Sequence, residues 1–381
     1  MAGLNETPSS ERVHIGIFGK RNAGKSSVIN AITGQNLAIV SDIKGTTTDP
    51  VYKAMELLPL GPVTFIDTPG LDDEGELGVK RIEKAYQVLN KTHIALLIID
   101  AKEGICDEDY AILSQFKLKN INYLIVFNKC DLLEGKELKV PEEFSQNYIC
   151  VSAHTKENIT ELKNKIANLI PNSERDFPLV QDLLSPNDFV VLVVPIDSAA
   201  PKGRLILPQQ QTIRDVLEIG ATALIVRESE LEKTLKDMGK KPRLVITDSQ
   251  AFAKVSKIVP PDIQLTSFSI LFARYKGDLE EAVKGAAVLD SIEDGDKILI
   301  AEGCTHHRQC DDIGTQKMPN WIKNYTKKNP IFEFTSGTEF PRDLGSYKLV
   351  IHCGACMLNE KEMQSRIHKP VGKIFQLQIM V

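Results

Sequence analysis

Soft and borderline metal ligands occur at two places near the C-terminal end of the chain. Cys304 and His306 lie at the first place, and His352, Cys353 and Cys356 lie at the second. Thiolates and imidazoles in a C-x-H and H-C-x-x-C pattern are typical of a zinc or an iron–sulfur site. The pattern leaves both metals open. A structural zinc would take two thiolates from the second place and a Cys/His pair from the first. A cluster would have three thiolates and a fourth position that is filled by another ligand or exchangeable.

A second group of chemically informative residues lies near the N-terminus. Residues 19–26 read GKRNAGKS, which fits G-x-x-x-x-G-K-S, and they follow the apolar run of residues 13–18. In a strand–loop–helix setting such a loop wraps phosphates with backbone amides and the helix N-terminus. We expect Lys25 to neutralise the β- and γ-phosphates and the Ser26 hydroxyl to ligate Mg²⁺. The predicted nucleotide contacts of this loop are Gly19, Asn22, Ala23, Gly24, Lys25, Ser26 and Ser27.

The residues that read the base come later in the chain. Asn128, Lys129 and Asp131 form an N-K-x-D pattern after an apolar strand, and Ser152-Ala153 follows another strand. The Asp131 carboxylate can accept two hydrogen bonds. Guanine has the pair of N–H donors that these bonds need, and adenine does not. The order of these motifs predicts a GTPase.

Two switch segments lie between these motifs. Residues 67–70 read DTPG, in which Asp67 would hold Mg²⁺ through water and the Gly70 amide would sense the γ-phosphate. In the threonine triplet of residues 46–48, we predict Thr47 as the magnesium ligand, with Thr48 as the weaker candidate. The predicted catalytic residues are therefore Lys25, Thr47, Asp67 and Gly70.

Alternating apolar strands and helical patterns position these motifs and predict an α/β protein. We expect an N-terminal P-loop GTPase domain at residues 1–170 and two smaller parallel-sheet α/β domains at 171–265 and 266–381. The middle domain has no phosphate loop and no acid–base pair, which favours an assembly or docking module. Apolar runs at 297–301 and 348–351 end directly before the two halves of the cysteine motif. Because ligands gather at the carboxyl edge of parallel sheets, this placement favours a cofactor site over a zinc knuckle.

Composition excludes several classes of function. The chain has 381 residues, 42% of them hydrophobic, a formal net charge of −5 and seven cysteines. An acidic chain without a dense Lys/Arg block is unlike most nucleic-acid binders, and no apolar run reaches the length of a membrane span. An odd, uneven set of cysteines argues against a secreted disulfide framework. We therefore expect a cytoplasmic protein.

The N-terminal motifs resemble the TrmE/Era branch of translation-factor-type GTPases. The resemblance rests on Gly-Thr-Thr before Asp49, on Asn22 before the residues AGKS, and on apolar Leu71 after DTPG. Leu71 cannot orient an attacking water as a catalytic glutamine does. The resemblance implies that a potassium ion near the phosphates, held partly by Asn22, takes over the catalytic function of that glutamine. Hydrolysis is then expected to be slow and potassium-stimulated.

The chain as a whole resembles the HydF family of FeFe-hydrogenase maturation GTPases. The residues that carry this resemblance are CTHH at 304–307, HCGAC at 352–356, the segment 195–208 and DDIG at 311–314. It implies a homodimeric scaffold, with dimerisation through residues 171–265 and a 4Fe–4S cluster on Cys304, Cys353 and Cys356 of residues 266–381. The scaffold would hold a di-iron precursor for transfer to apo FeFe-hydrogenase and would act with the radical-SAM maturation proteins.

The fourth cluster position and the function of the nucleotide stay open at this point. His306 and His352 match the family's histidines as ligands or as outer residues, and Asp311 is an alternative oxygen ligand. We expect hydrolysis to regulate partner binding and not to drive chemistry at the cluster. The alternative is a TrmE-like RNA-modification GTPase with a structural zinc, against which the acidic charge argues.

Overall fold

The computed structural model describes residues 7–34, 50–58, 60–70, 84–133, 138, 140–169, 178–196, 205–303, 313–337, 339–341, 343–355, 357–368 and 376–378. The chain divides into two compact units, Met1–Arg175 and Asp176–Val381. Each unit has its own hydrophobic cores.

The first unit is built on a sheet whose six described strands are β1 (Val13–Phe18), β2 (Val51–Leu57), β3 (Gly61–Asp67), β4 (Ile94–Asp100), β5 (Asn122–Asn128) and β6 (Tyr148–Cys150), in the order β2-β3-β1-β4-β5-β6. All neighbours are parallel except β2, which pairs antiparallel with β3. Helices α1 (Lys25–Thr33), α2 (Asp107–Leu118) and α3 (Ile159–Ala167) belong to this unit. Strands β1 and β4 are almost continuously apolar because helices cover both faces of a parallel sheet.

The second sheet consists of β7 (Phe189–Val193), β8 (Thr222–Val226), β9 (Leu244–Thr247) and β10 (Gln264–Ser267). Its described strands are parallel in the order β10-β9-β7-β8, so that β8 is at an edge. The helices that follow these strands are α4 (Leu207–Glu218), α5 (Leu231–Asp237), α6 (Phe252–Val255) and α7 (Phe268–Lys276). The Ser267 side chain caps α7 by accepting the amide of Ile270.

The third sheet consists of β11 (Lys297–Glu302), β12 (Ile331–Ser336), β13 (Leu349–His352) and β14 (Gln376–Gln378). These strands are also parallel, in the order β12-β11-β13-β14. Helix α8 (Leu279–Val288) precedes the sheet, and α9 (Met318–Thr326) and α10 (Glu360–Ile367) alternate with its strands. Because β11 and β13 are parallel neighbours, the segments that follow them leave the sheet at the same edge.

The predicted fold class is confirmed: a P-loop GTPase fold precedes two smaller α/β domains with parallel sheets. The predicted domain limits stay predictions, and the limit after residue 265 falls within β10. Among the described residues, no helix is long and apolar enough to cross a membrane.

Candidate functional site

The phosphate loop takes its shape from glycines where β1 turns into α1. Gly19 has φ +138°, and a Cβ there would lie 2.2 Å from the Ile98 carbonyl oxygen. Gly24 has φ +90°, and a Cβ there would lie 2.2 Å from Asn128 Nδ2. Asn22 also has a positive φ of 60°, which asparagine tolerates better than most residues. The loop is therefore packed directly against β4 and against the end of β5, and only glycine fits at its two ends.

The predicted phosphate and magnesium ligands of this loop face one another. Lys25 is buried, and its Nζ donates to the carbonyls of Gly19 at 2.9 Å and Lys20 at 2.7 Å. The Ser26 hydroxyl donates to Asp67 Oδ2 at 2.7 Å. Asp67 Oδ1 is buried and has no hydrogen-bond partner among the described residues. A buried carboxylate beside a serine hydroxyl, with one oxygen left over, suits a hard divalent cation such as Mg²⁺.

The charge state of Asp67 reflects this enclosed position. Burial raises the pKa of Asp67, and the Ser26 hydrogen bond and the positive charges of Lys25 and Lys53 oppose that shift. A bound cation would favour the ionised carboxylate for the same electrostatic reason.

Asn128 connects the loops that would surround the nucleotide. Its Nδ2 donates to the Ala23 carbonyl at 3.0 Å, and its Oδ1 accepts the Ala153 amide at 3.0 Å. It therefore joins the phosphate loop to the Ser152-Ala153 loop. Lys129 has φ 65°, and its ammonium pairs with Asp100 at 2.6 Å. The side chain of Asp131 is exposed, as a carboxylate that reads an incoming base must be.

Several predicted nucleotide-site residues are also described but make less specific contacts. Gly70 ends the described part of the DTPG segment, and Thr68 within it is tied to the Ile17 carbonyl at 2.6 Å. Ser152 is buried, and its hydroxyl accepts the Thr155 amide at 3.1 Å. Thr47, Thr48 and Leu71 lie outside the described residues.

The described part of the cysteine motif, residues 352–355, begins at the carboxyl edge of the third sheet. The register pairs Ala301 with His352, and the Cys353 amide donates to the Ala301 carbonyl at 3.0 Å. The Gly303 amide donates to Cys353 Sγ at 2.9 Å. Gly303 directly precedes Cys304 in the sequence, so the residue before the first half of the motif contacts a cysteine of the second half.

His352 is the last residue of β13, directly before Cys353, and both of its ring nitrogens make hydrogen bonds. It is buried, with Nε2 2.9 Å from Arg366 Nη1 and Nδ1 2.8 Å from the Cys353 carbonyl oxygen. A guanidinium only donates, so Nε2 accepts and the Nδ1–H donates to the carbonyl. Burial and the charge of Arg366 lower the pKa of His352 to about 3. The imidazole is therefore neutral, and it orients the peptide that follows Cys353.

Arg366 had no signal in the sequence. It lies on α10, where it also donates to the Gly337 carbonyl at 2.8 Å and to Glu362 at 2.7 Å, and its guanidinium lies over the Phe340 ring at 4.9 Å. Nothing in the spacing of residues 352 and 366 predicts their contact. Only the packing of α10 against the sheet creates it.

The other predicted cluster residues lie outside the described residues: Cys304, His306, Asp311 and Cys356. Among the residues that the structure does describe, no group of three or more metal-ligating side chains is found. The assignment of a cluster and of its ligands stays a prediction.

Relatives of known function resemble part of the chain. It is 33% identical over 186 residues to the GTPase Der of Wolinella succinogenes, which covers 46% of this chain and 39% of that protein. It is 35% identical over 167 residues to the tRNA modification GTPase MnmE of Chromobacterium violaceum, covering 44% of this chain and 36% of that protein. The chain therefore spans well under half the length of these curated relatives. A crystal structure of Era from Aquifex aeolicus matches 56% of this chain and 92% of its own, at 21% identity and a TM-score of 0.39.

Three family models match successive parts of the chain. A model described as 50S ribosome-binding GTPase matches residues 14–129, so the N-terminal domain is a GTPase domain. The hydrogen maturase F dimerization domain matches residues 179–277, and the hydrogen maturase F tetramerization domain matches residues 280–374. These matches do not favour the RNA-modification alternative. Because both domains specific to that family follow the GTPase domain, the chain belongs to the hydrogen maturase F family of GTPases.

Proposed function

We propose that the chain is a cytoplasmic, GTP-hydrolysing scaffold for hydrogenase maturation that binds a 4Fe–4S cluster through Cys304, Cys353 and Cys356. It holds a di-iron precursor and delivers it to apo FeFe-hydrogenase. It acts as a homodimer and also binds the radical-SAM maturation proteins. The family membership supports the maturation role, and the cluster and its delivery are our extension.

The contact of Gly303 with Cys353 is the observation that carries the proposal. An amide that donates to Sγ at 2.9 Å places one predicted thiolate beside the segment that carries another. Hydrogen bonds to the sulfurs are among the features that set the reduction potential of an iron–sulfur cluster. The residues present therefore fit a cluster, which would supply an iron site for the precursor when bound.

The contacts of His352 divide the candidates for the fourth position. Since His352 already accepts from Arg366 and donates to the Cys353 carbonyl, we assign it to orienting the loop and not to binding iron. The fourth position is then left to His306, Asp311 or an added ligand.

In the nucleotide site, we propose that Lys25 and the loop amides bind the phosphates, and that Ser26, Thr47 and, through water, Asp67 hold Mg²⁺. Gly70 senses the γ-phosphate, while Asn128, Lys129, Asp131, Ser152 and Ala153 form the guanine pocket, and Asn22 helps to hold K⁺. Replacing Na⁺ by K⁺ should raise the rate of hydrolysis at least about tenfold, and Asn22→Ala should abolish this difference. Equal rates in the two salts would remove K⁺ from the proposal.

The cluster is tested by reconstituting anaerobic protein with iron and sulfide, followed by metal analysis and electron paramagnetic resonance after dithionite reduction. Wild type should give a reduced 4Fe–4S signal that added imidazole perturbs. Cys304→Ala and Cys353→Ala should lose it, while Cys106→Ala, a cysteine of the GTPase domain, should keep it. Stoichiometric zinc without a cluster would overturn the scaffold proposal.

The role of hydrolysis is tested by measuring the affinity for apo FeFe-hydrogenase with GDP and with a non-hydrolysable GTP analogue. We expect the two Kd values to differ by about tenfold or more, because a switch acts by its differential binding to two states. Identical affinities for the hydrogenase and for each maturation partner would contradict a regulatory role.

A further inference from the structure

Lys276 is a buried cation at the end of α7. Its exposed fraction is 2%, which is unusual for lysine. Its Nζ donates to the Leu358 carbonyl at 3.2 Å and lies 5.7 Å from the centroid of the Phe272 ring. Burial raises the pKa of Glu360, and the charges of Lys361 and Lys276 oppose that rise. The charge is thus held inside the protein next to the segment that follows HCGAC.

Leu358 connects this cation to Ala355 in the second half of the cysteine motif and to Gly303, which precedes the first half. Its amide donates to the Ala355 carbonyl at 3.0 Å, which ties Leu358 to a residue of the HCGAC segment. A Cβ on Gly303 would lie 3.0 Å from Leu358 Cγ and 3.4 Å from Ala355 Cα. Leu358 therefore packs on the residue that precedes Cys304, while Lys276 holds its carbonyl.

The end of α7 is itself fixed by the helix that follows the motif. Gln364 Nε2 on α10 donates to the carbonyls of Gly277 at 3.1 Å and Lys276 at 3.4 Å. These bonds satisfy carbonyls that a helix end leaves unpaired. The backbone of Lys276 is tied to α10 and its side chain to the motif loop, so the ammonium has a defined position.

We propose that Lys276 is a positioning and counter-charge residue of the cysteine site. It holds the Leu358 carbonyl in place, and its positive charge offsets the negative charge of a thiolate-bound cluster. This inference rests on the proposed iron–sulfur function. A cluster with cysteine thiolates gains negative charge on reduction, so a nearby buried cation stabilises the reduced form and raises the reduction potential.

The experiment is a redox titration of the reconstituted full-length protein, followed by electron paramagnetic resonance. Lys276→Met keeps most of the volume and removes the charge, and Lys276→Arg keeps the charge. The matched control is Lys284→Met on α8, since Lys284 is exposed and pairs with Glu280 and Glu281 at the surface. At a fixed solution potential, Lys276→Met should lower the ratio of reduced to oxidised cluster about tenfold, which equals about 59 mV for one electron. Lys276→Arg and Lys284→Met should stay within about twofold of wild type.

The outcomes separate this inference from the proposed function. A wild-type cluster whose potential does not change in Lys276→Met would overturn the role of Lys276 and leave the scaffold function standing. No cluster in wild type would overturn both. If Lys276→Met does not fold, Lys276→Gln is titrated in its place and must show the same loss. A purely structural role predicts fewer clusters per chain with an unchanged potential, and that result would also overturn the proposed counter-charge.

Discussion

His14 in β1 is a buried histidine outside both candidate sites. It is 5% exposed, its amide donates to His93 Nδ1 at 3.0 Å, and its Nε2 lies 3.3 Å from the Ser9 hydroxyl oxygen. The two imidazole rings stack with their centroids 5.8 Å apart. Burial, followed by the charges of Lys91 and Arg12, lowers the pKa of His14 to about 4. The folded protein therefore holds this imidazole neutral.

The sign of the resulting pH dependence is fixed by that pKa. Between the usual value of 6.5 and about 4, the unfolded chain binds a proton that the folded chain excludes. The contribution of His14 to the free energy of unfolding is complete above about pH 6.5. It is lost as the pH falls towards 4, and the total loss is about 3 kcal/mol. In denaturant unfolding at several pH values, the free energy of unfolding should fall less steeply below pH 6.5 for His14→Gln than for wild type. His154→Gln, at an exposed loop residue, should keep the wild-type profile. Parallel curves for wild type and His14→Gln would contradict the assignment.

At the scale of elements, the junction of β1 and α1 couples phosphate binding to base recognition. The loop approaches Asn128 so closely that Gly24 has no room for a side chain. Asn128 in turn holds Ala23 and Ala153. A disturbance at Gly24 should therefore reach the guanine pocket as well as the phosphates.

Gly24→Ala tests this coupling. The added methyl group would lie 2.2 Å from Asn128 Nδ2 at a φ of +90°, so the loop must shift. We expect a loss of about 1–3 kcal/mol in stability and a fall of at least tenfold in affinity for GDP, measured with a fluorescent analogue. The control is Gly34→Ala at the end of α1, where φ is +70° and no atom lies within 4 Å of the added Cβ. It should cost about 1 kcal/mol with unchanged affinity. Equal affinities for both variants would show that the loop contact with Asn128 is unimportant.

At the scale of the molecule, matches to dimerization and tetramerization domains indicate an oligomer, and a homodimer stays our prediction. Among the described strands of the second sheet, β8 lies at one edge, and its Leu224 and Ile225 are 36% and 46% exposed. Exposed apolar side chains on an unpaired edge favour pairing with another strand. We therefore place the association surface at β8.

Ile225→Lys should weaken this association. Light scattering coupled to size exclusion should show a molar mass that falls towards the 42.3 kDa of one chain, because burying an unpaired charge is costly. Leu118→Lys changes a side chain that is 78% exposed at the end of α2 in the GTPase unit, and it should leave the mass unchanged. A mass that depends on Leu118 and not on Ile225 would place the interface elsewhere.

The strands that short-range patterning predicts are those buried on both faces. Runs such as residues 13–18 and 297–301 are mostly apolar, and the structure has strands at Val13–Phe18 and Lys297–Glu302. Strand β10 has the sequence QLTS, in which only the leucine is apolar, and helix α7 follows it directly. The pattern of β10 did not predict a strand because one apolar residue in four does not distinguish a strand from a loop. Helix α7 does have a helical apolar period, with Phe268, Leu271 and Phe272 at i, i+3 and i+4, so its pattern was sufficient to predict it.

The sequence by itself determined the nucleotide motifs, their order, the fold class and the family, because each of these depends on residues close together in the chain. Tertiary structure alone decided that Asn128 bridges two loops, that Arg366 fixes the tautomer of His352 and that Lys276 donates to the Leu358 carbonyl. The partners in these contacts are 105, 14 and 82 residues apart. Their hydrogen bonds depend on strand register and helix packing, which set side-chain positions to within a few tenths of an ångström and leave no periodic trace in the sequence.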